Sequence, residues 1–354
     1  MNKKAKENKK NRGQFYTVNS SYILNNLPLP PQGIRCVIEP FAGQGDLITW
    51  LNDNNVKLPL EAYDIEPKTT GISQRDSLLN PPEYKDAWII TNPPYLARNK
   101  CKDKTIFDHY KTNDLYKAFI LSLTKGEGCA GGVLIIPVGF FLSPRDIDVQ
   151  CRNAFLSKYH ITRVRYFEED VFPDTSTTVV AFSFVKANKP LVEQNIEWEH
   201  LPSGNIQTFN LKSKNDWIVG GEVYKLDKPK DIKVRRYVVG QKLKSNEQIT
   251  GLTLTALDSG TQTGRICLKY QENYLYQAKD TSRSYATLCI TGKTLTPSEQ
   301  QMLAREFNSY IEKLRTDTWS LFLPQFRESK EYARKRIPFE LAYDIVLHLI
   351  EKKL

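Results

Sequence analysis

The sequence predicts an α/β domain built on a mixed, mostly parallel sheet, followed by an α+β domain. Three observations carry that expectation. Short apolar runs alternate with helical stretches through the first half of the 354 residues, the pattern of a sheet covered on both faces. A glycine-bearing turn follows the first run and an acidic residue ends the second, as at the strand ends of an open α/β sheet. Beyond Asn188-Lys189-Pro190 the texture changes to polar, strand-like sequence studded with aromatic residues, and the chain finishes in two helical patterns.

The elements follow in order. Strands are expected near residues 34–38, 60–64, 87–91, 132–137, 161–167 and 177–186, with helices near 46–53, 114–124 and 146–158. Arg35-Cys36-Val37-Ile38 is a short buried run that leads into Glu39-Pro40-Phe41-Ala42-Gly43-Gln44-Gly45, whose glycines allow a tight turn and close approach of backbone to a ligand. The run Leu60-Glu61-Ala62-Tyr63-Asp64 ends in a carboxylate able to accept bonds from sugar hydroxyls, with Ile65 beside it. Ala87-Trp88-Ile89-Ile90-Thr91 ends at Asn92-Pro93-Pro94-Tyr95, where two prolines fix φ and remove two backbone donors. The segment Leu96 to Thr112, rich in Lys, Asn and Asp, reads as a mobile loop that gates entry. The last two strands, joined by Glu168 to Asp174, read as an antiparallel hairpin with a long tip. Near the end, Thr296-Pro297-Ser298-Glu299 has the form of a helix N-cap with a first-turn proline and a capping-box glutamate, and a second helix is expected from Pro338 to Ile350.

Composition narrows the function classes. A net charge of +10 points to a polyanionic partner, nucleic acid above all. The lysine-rich leading residues Met1 to Lys10 read as a solvated tail without the apolar core of a secretory signal. No stretch approaches the roughly 18 apolar residues that a membrane span requires, so a soluble, intracellular protein is expected. The six cysteines form no Cys-x-x-Cys pair and the four histidines stand far apart, so no metal site is expected and reduced, buried thiols are the simplest reading.

Asn92-Pro93-Pro94-Tyr95 suits a planar, poorly nucleophilic amino nitrogen. The lone pair of such a nitrogen is delocalised into its ring or carbonyl until acceptors hold its hydrogens out of plane, a task for an Asn side-chain oxygen and the next carbonyl. Tyr95 then offers a flat face to a base. The glycine turn departs from the dinucleotide fingerprint, lacking the third glycine and carrying an acidic-Pro-Phe-Ala lead, which favours an S-adenosylmethionine site over a nicotinamide one.

In the order of these motifs the chain closely resembles the amino-methylating DNA methyltransferases of the adenine-N6 group, over roughly residues 1–186. The resemblance implies a Rossmann-like methyltransferase domain over residues 1–190 and a DNA target-recognition domain over 191–354. It implies S-adenosylmethionine as cofactor, with Tyr16 and Thr17 capping its methionine end, Glu39, Pro40, Phe41, Ala42, Gly43 and Gly45 forming the cofactor loop, and Asp64 with Ile65 at the ribose. Asp76, with Ser77, would meet the adenine amino group of the cofactor. Asn92, Pro93, Pro94 and Tyr95 form the catalytic turn, Asn92 also touching the cofactor, and Phe172 contacts the target base. Double-stranded DNA is the implied partner, with a base rotated out of the duplex, and a separate restriction endonuclease the implied counterpart. In the second half Arg265 and Arg283 are the candidate base readers, and Arg327, Lys330, Arg334, Lys335 and Arg336 form a basic cluster suited to a DNA backbone. Three alternatives stay open: a protein-glutamine methyltransferase, an RNA amino-methyltransferase, and an inactive homologue that keeps the cofactor pocket.

Overall fold

The computed structural model of the chain describes residue 17 and residues 19–172, 177–258, 265–326 and 334–354. The chain divides into two compact units, Met1–Phe141 with Arg145–Trp217, and Leu142–Pro144 with Ile218–Leu354.

The first unit holds α1 (Ser20–Ile23), β1 (Cys36–Glu39), α2 (Asp46–Asp53), β2 (Leu60–Asp64), β3 (Ser73–Gln74) and β4 (Ala87–Thr91). It continues with α3 (Thr105–Tyr110), α4 (Leu115–Leu123), β5 (Gly131–Pro137), α5 (Asp146–Leu156), β6 (Tyr159–Phe167), β7 (Val179–Lys186), β8 (Glu193–Leu201) and β9 (Asn205–Lys212). The strands form one nine-stranded sheet in the order β3-β2-β1-β4-β5-β7-β6-β8-β9. From β3 to β5 every pairing is parallel, and β7 enters antiparallel between β5 and β6. This is a Rossmann-like α/β fold with a mixed, mostly parallel sheet. β4 is buried along its whole length because it is covered on both faces, which accounts for its uninterrupted apolar run. At Gly132 a Cβ would stand 2.3 Å from the Ile89 carbonyl oxygen, so β5 can lie this close to β4 only with glycine there.

Two expectations are corrected. The texture change near residue 190 is not the end of the first unit, because β8 pairs in parallel with β6 and β9 closes the sheet beyond it. Trp198 of β8 is fully buried, its ring edge-on to Phe141 at 5.1 Å. Arg165 of β6, 1% exposed, bonds Glu199 of β8 at 2.8 Å and donates to the Tyr22 and Ile23 carbonyls of α1, so a buried charge of the first unit is paired with a strand that the sequence placed in the next domain. The polar look of β8 and β9 comes from their alternation of buried and exposed positions.

The segment after the Asn92–Tyr95 turn, expected as a mobile loop that gates entry, contains the helix α3. Phe107 and Tyr110 of α3 are buried, and the Tyr110 hydroxyl donates to the Leu78 carbonyl at 2.8 Å. Its charged side chains masked an apolar face too short to register as helical periodicity. All six cysteines are free, four of them buried.

The second unit is built on an antiparallel sheet in the order β10-β13-β11-β12, formed by β10 (Lys233–Arg236), β11 (Glu247–Thr255), β12 (Cys267–Tyr270) and β13 (Tyr285–Thr291). Two helices, α6 (Pro297–Thr318) and α7 (Phe339–Lys353), share its core, with Phe307 and Ile311 of α6 and Ile345 and Val346 of α7 in one cluster with Leu252, Leu254, Leu288 and Ile290. The capping box at the start of α6 forms as its sequence predicts: Glu299 N donates to the Thr296 hydroxyl, and Thr296 N to the Glu299 carboxylate.

Candidate functional site

At the carboxyl ends of β1, β2 and β4 lies a cavity of about 420 Å³, at the point where the strand order runs outward in both directions from β1 and β4. Ligands of open α/β sheets bind at such a switch point, because the chain leaves neighbouring strands in opposite directions and opens a crevice.

The turn after β1 forms one wall. Gly45 has φ of +88° and serves as the N-cap of α2, a conformation that favours glycine, and its amide donates to the Ala42 carbonyl at 2.7 Å. The Gly43 amide donates to Asp64 Oδ2 at 2.9 Å, and the Glu66 amide to Asp64 Oδ1 at 2.8 Å. Asp64 thus performs the structural task of its type, pinning two turns, and it also lines the cavity. Asp76 works likewise: Oδ1 accepts the amides of Leu78 and Leu79 at 3.0 and 3.1 Å while the side chain faces the cavity.

Of the other cofactor candidates, Thr17, Glu39, Phe41, Ala42, Gly43, Ile65, Ser77 and Asn92 line the cavity. Pro40 and Gly45 act behind the wall as parts of the turn, and Tyr16 lies outside the described residues. Ile65 and Leu79 are 45% and 53% exposed on that wall, two large apolar side chains held open to a ligand.

Glu39 ends β1 and is 1% exposed. Its Oε1 accepts from the Thr91 hydroxyl of β4 and from the Phe41 amide, the latter at 3.1 Å, while the buried Oε2 has no hydrogen-bond partner among the described residues. Burial, reinforced by the nearby charge of Asp64, pushes this carboxyl up to about 8 against the bonds from Thr91 and Phe41.

Asn92 follows β4 directly and reaches the cavity with its amide nitrogen 3.2 Å from the Thr17 hydroxyl. Pro94 is on the wall and Pro93 is buried. The aromatic candidates stand elsewhere. Tyr95, 8% exposed, bonds Asn92 Oδ1 and the Ile135 carbonyl through its hydroxyl and meets Tyr116 edge-on at 6.2 Å; a buried phenol needs an acceptor, and the turn offers Asn92 Oδ1 while β5 offers the Ile135 carbonyl. Phe172 is 1% exposed and packs as a core aromatic, the residues after it lying outside the described ones.

Arg265 and Arg283 belong to the second unit and are exposed. The amides of Arg265 and Ile266 both donate to Asp258 Oδ1, so the backbone there is fixed and the guanidinium projects from it. Arg283 lines a separate cavity of about 550 Å³ together with Arg235, Arg236 and Arg336. Residues 259–264, 327 and 330 lie outside the described residues. Sequence reasoning missed Thr91, which holds Glu39, and the wall formed by Ile106 and Phe107. The place of Thr91, at the end of a buried strand and immediately before Asn92, was the signal available for it.

No family model matches the chain, and no curated protein is similar to it in sequence. Among solved structures, it is similar to a modification subunit ascribed to a type I restriction enzyme of Vibrio vulnificus, at 16% identity and a TM-score of 0.42, over 56% of this chain and 49% of that one. It is also similar to the type IIG restriction endonuclease BpuSI, at 15% identity and a TM-score of 0.40, over 65% and 36% of the two chains. A third is a type I restriction-modification methyltransferase subunit from Streptococcus thermophilus, at 13% identity and a TM-score of 0.38, over 53% and 48%. The matched regions span about half or less of those chains.

Proposed function

We propose that the chain is an S-adenosylmethionine-dependent DNA methyltransferase that transfers a methyl group to the N6 of an adenine rotated out of the duplex. The observation that carries this reading is the meeting of Asn92 with Asp64, Asp76 and the Gly43 turn around one cavity. Motifs far apart in sequence come together in the order a nucleoside cofactor and an amino-group acceptor would need. Asp64 would accept the ribose hydroxyls, Asp76 the adenine amino group of the cofactor, and the apolar Ile65 and Leu79 its ring. Asn92 and the Pro93 carbonyl would hold the hydrogens of the target amino group, leaving its lone pair directed at the sulfonium methyl. The proton is lost after the nitrogen becomes cationic, so no general base is needed before attack.

The residues present fit the cofactor, since exposed apolar side chains and carboxylates share one wall. When bound, it supplies the methyl group for direct displacement. Duplex DNA would be held by the second unit, with Arg265 and Arg283 as candidate base readers and a separate restriction endonuclease as functional counterpart. Labelled-methyl transfer to duplex DNA, RNA and protein in parallel tests the reading, with the methylated base then identified. Label in N6-methyladenine of DNA is expected; label in protein glutamine or RNA alone would overturn it.

A further inference from the structure

Glu39 sits where a carboxylate has little to stabilise it. It is 1% exposed, and among the described residues its buried Oε2 has no hydrogen-bond partner and the charge acting on it is the like charge of Asp64. The other titratable side chains on the cavity wall are Asp46 of α2, Asp64 of β2, Arg75 and Asp76 after β3, and Cys101 and Asp103 before α3. Among the described residues four carboxyl groups besides Glu39 therefore share the wall with one guanidinium, and that of Arg75 lies over the Tyr63 ring at 4.8 Å. Burying a carboxylate without a counter-charge costs more than retaining its proton at neutral pH.

We propose that Glu39 is held as a neutral carboxylic acid in the ligand-free protein and gives up its proton when a cationic group, the α-ammonium of the cofactor's amino-acid end, arrives beside its carboxyl group on the cavity wall. This rests on the cofactor reading above and adds to it a proton-releasing binding step. The Oε2–H bond breaks, its electron pair stays on the oxygen, and the proton leaves to buffer. The arriving ammonium supplies the counter-charge and donors that the carboxylate lacks. The empty protein holds the carboxyl at about 8, so affinity is expected to rise about tenfold per pH unit between about pH 6 and 8.

Calorimetry of the full chain in buffers of different ionisation enthalpy counts the protons. S-adenosylhomocysteine, which carries the ammonium, is compared with 5′-methylthioadenosine, which has the nucleoside and lacks it. Close to one proton released per S-adenosylhomocysteine is expected at pH 6.5 and about half at pH 8, from a carboxyl at about 8. None is expected for methylthioadenosine. Glu39→Gln should bind S-adenosylhomocysteine at least tenfold more weakly and without proton release. S-adenosylhomocysteine binding to the wild-type chain without proton exchange would overturn the inference and leave the cofactor reading standing. Equal release with both ligands would also overturn it, since the ammonium would not be the cause. Failure of both ligands to bind would remove the cofactor reading and this inference together.

Discussion

The hydroxyl of Tyr95 bonds both Oδ1 of Asn92 and the main-chain carbonyl of Ile135, the latter at 2.8 Å. The side chain that follows β4 is thereby tied to β5, and on the proposed reading the tyrosine would act through Asn92 as a positioning residue. Tyr95→Phe keeps the ring and removes the tie. Single-turnover methyl transfer should fall about tenfold, the scale of a lost positioning contact, with cofactor affinity within about twofold of wild type. Undiminished transfer by Tyr95→Phe would leave the hydroxyl without a role in placing Asn92.

Asn92→Ala should abolish transfer on a larger scale, about a hundredfold or more, since it removes a preorganised acceptor for the target amino group. Cofactor affinity should stay nearly intact. Retained wild-type turnover would remove the catalytic assignment.

Asp64→Ala should show the converse. It deletes the acceptor for the amides of Gly43 and Glu66 as well as the carboxylate on the cavity wall, so the glycine turn should loosen and, on the proposed reading, the group that would accept the ribose hydroxyls is removed with it. Calorimetry should show cofactor affinity weakened by about tenfold or more, the scale of a lost hydrogen bond to a charged group.

Glu39 and Asp114, the residue at the N-cap of α4, make the first unit less stable as pH rises. Burial raises the folded-state values, to about 8 from 4.5 for Glu39 and to about 6 from 3.8 for Asp114, so the folded chain binds more protons than the unfolded one between those limits. The loss sets in above about pH 4 and is complete for these groups above about pH 8. Glu39→Gln should therefore exceed wild type in stability by on the order of 4 kcal/mol at pH 8 and match it near pH 4. Urea titrations at the two pH values check this, and an equal gap at both would point to packing.

The end of the first unit at Trp217 bears on any division of the chain. A fragment ending at residue 190 leaves the edge of β6 unpaired and Glu199 absent from beside the buried guanidinium of Arg165, and should be insoluble or melt without cooperativity. One ending at Trp217 keeps both and should melt cooperatively. Grafting residues from Ile218 onward onto the catalytic part of a related enzyme, and mapping the methylated sites, tests where sequence choice resides. A hybrid that keeps the specificity of the catalytic donor would place recognition outside the second unit.

Local sequence determined most of the elements, because their signals are local. The apolar run of β4, the glycine turn before α2, the β6–β7 hairpin and the capping box of α6 each depend on neighbours a few residues away, where periodicity and backbone preference act. Tertiary structure decided what depends on partners distant in the chain. Whether β8 belonged to the first sheet turned on Arg165 finding Glu199, and no local pattern announces a pairing between strands so separated. The same holds at the site: the residue types at Asp64 and Asn92 were legible, whereas the burial of Glu39 against Thr91 and the turning of Tyr95 toward Ile135 arise from the packing of β1, β4 and β5 side by side. Desolvation is a property of that assembled environment, so a carboxyl that looks ordinary in sequence becomes a proton-holding group only once the sheet has closed around it.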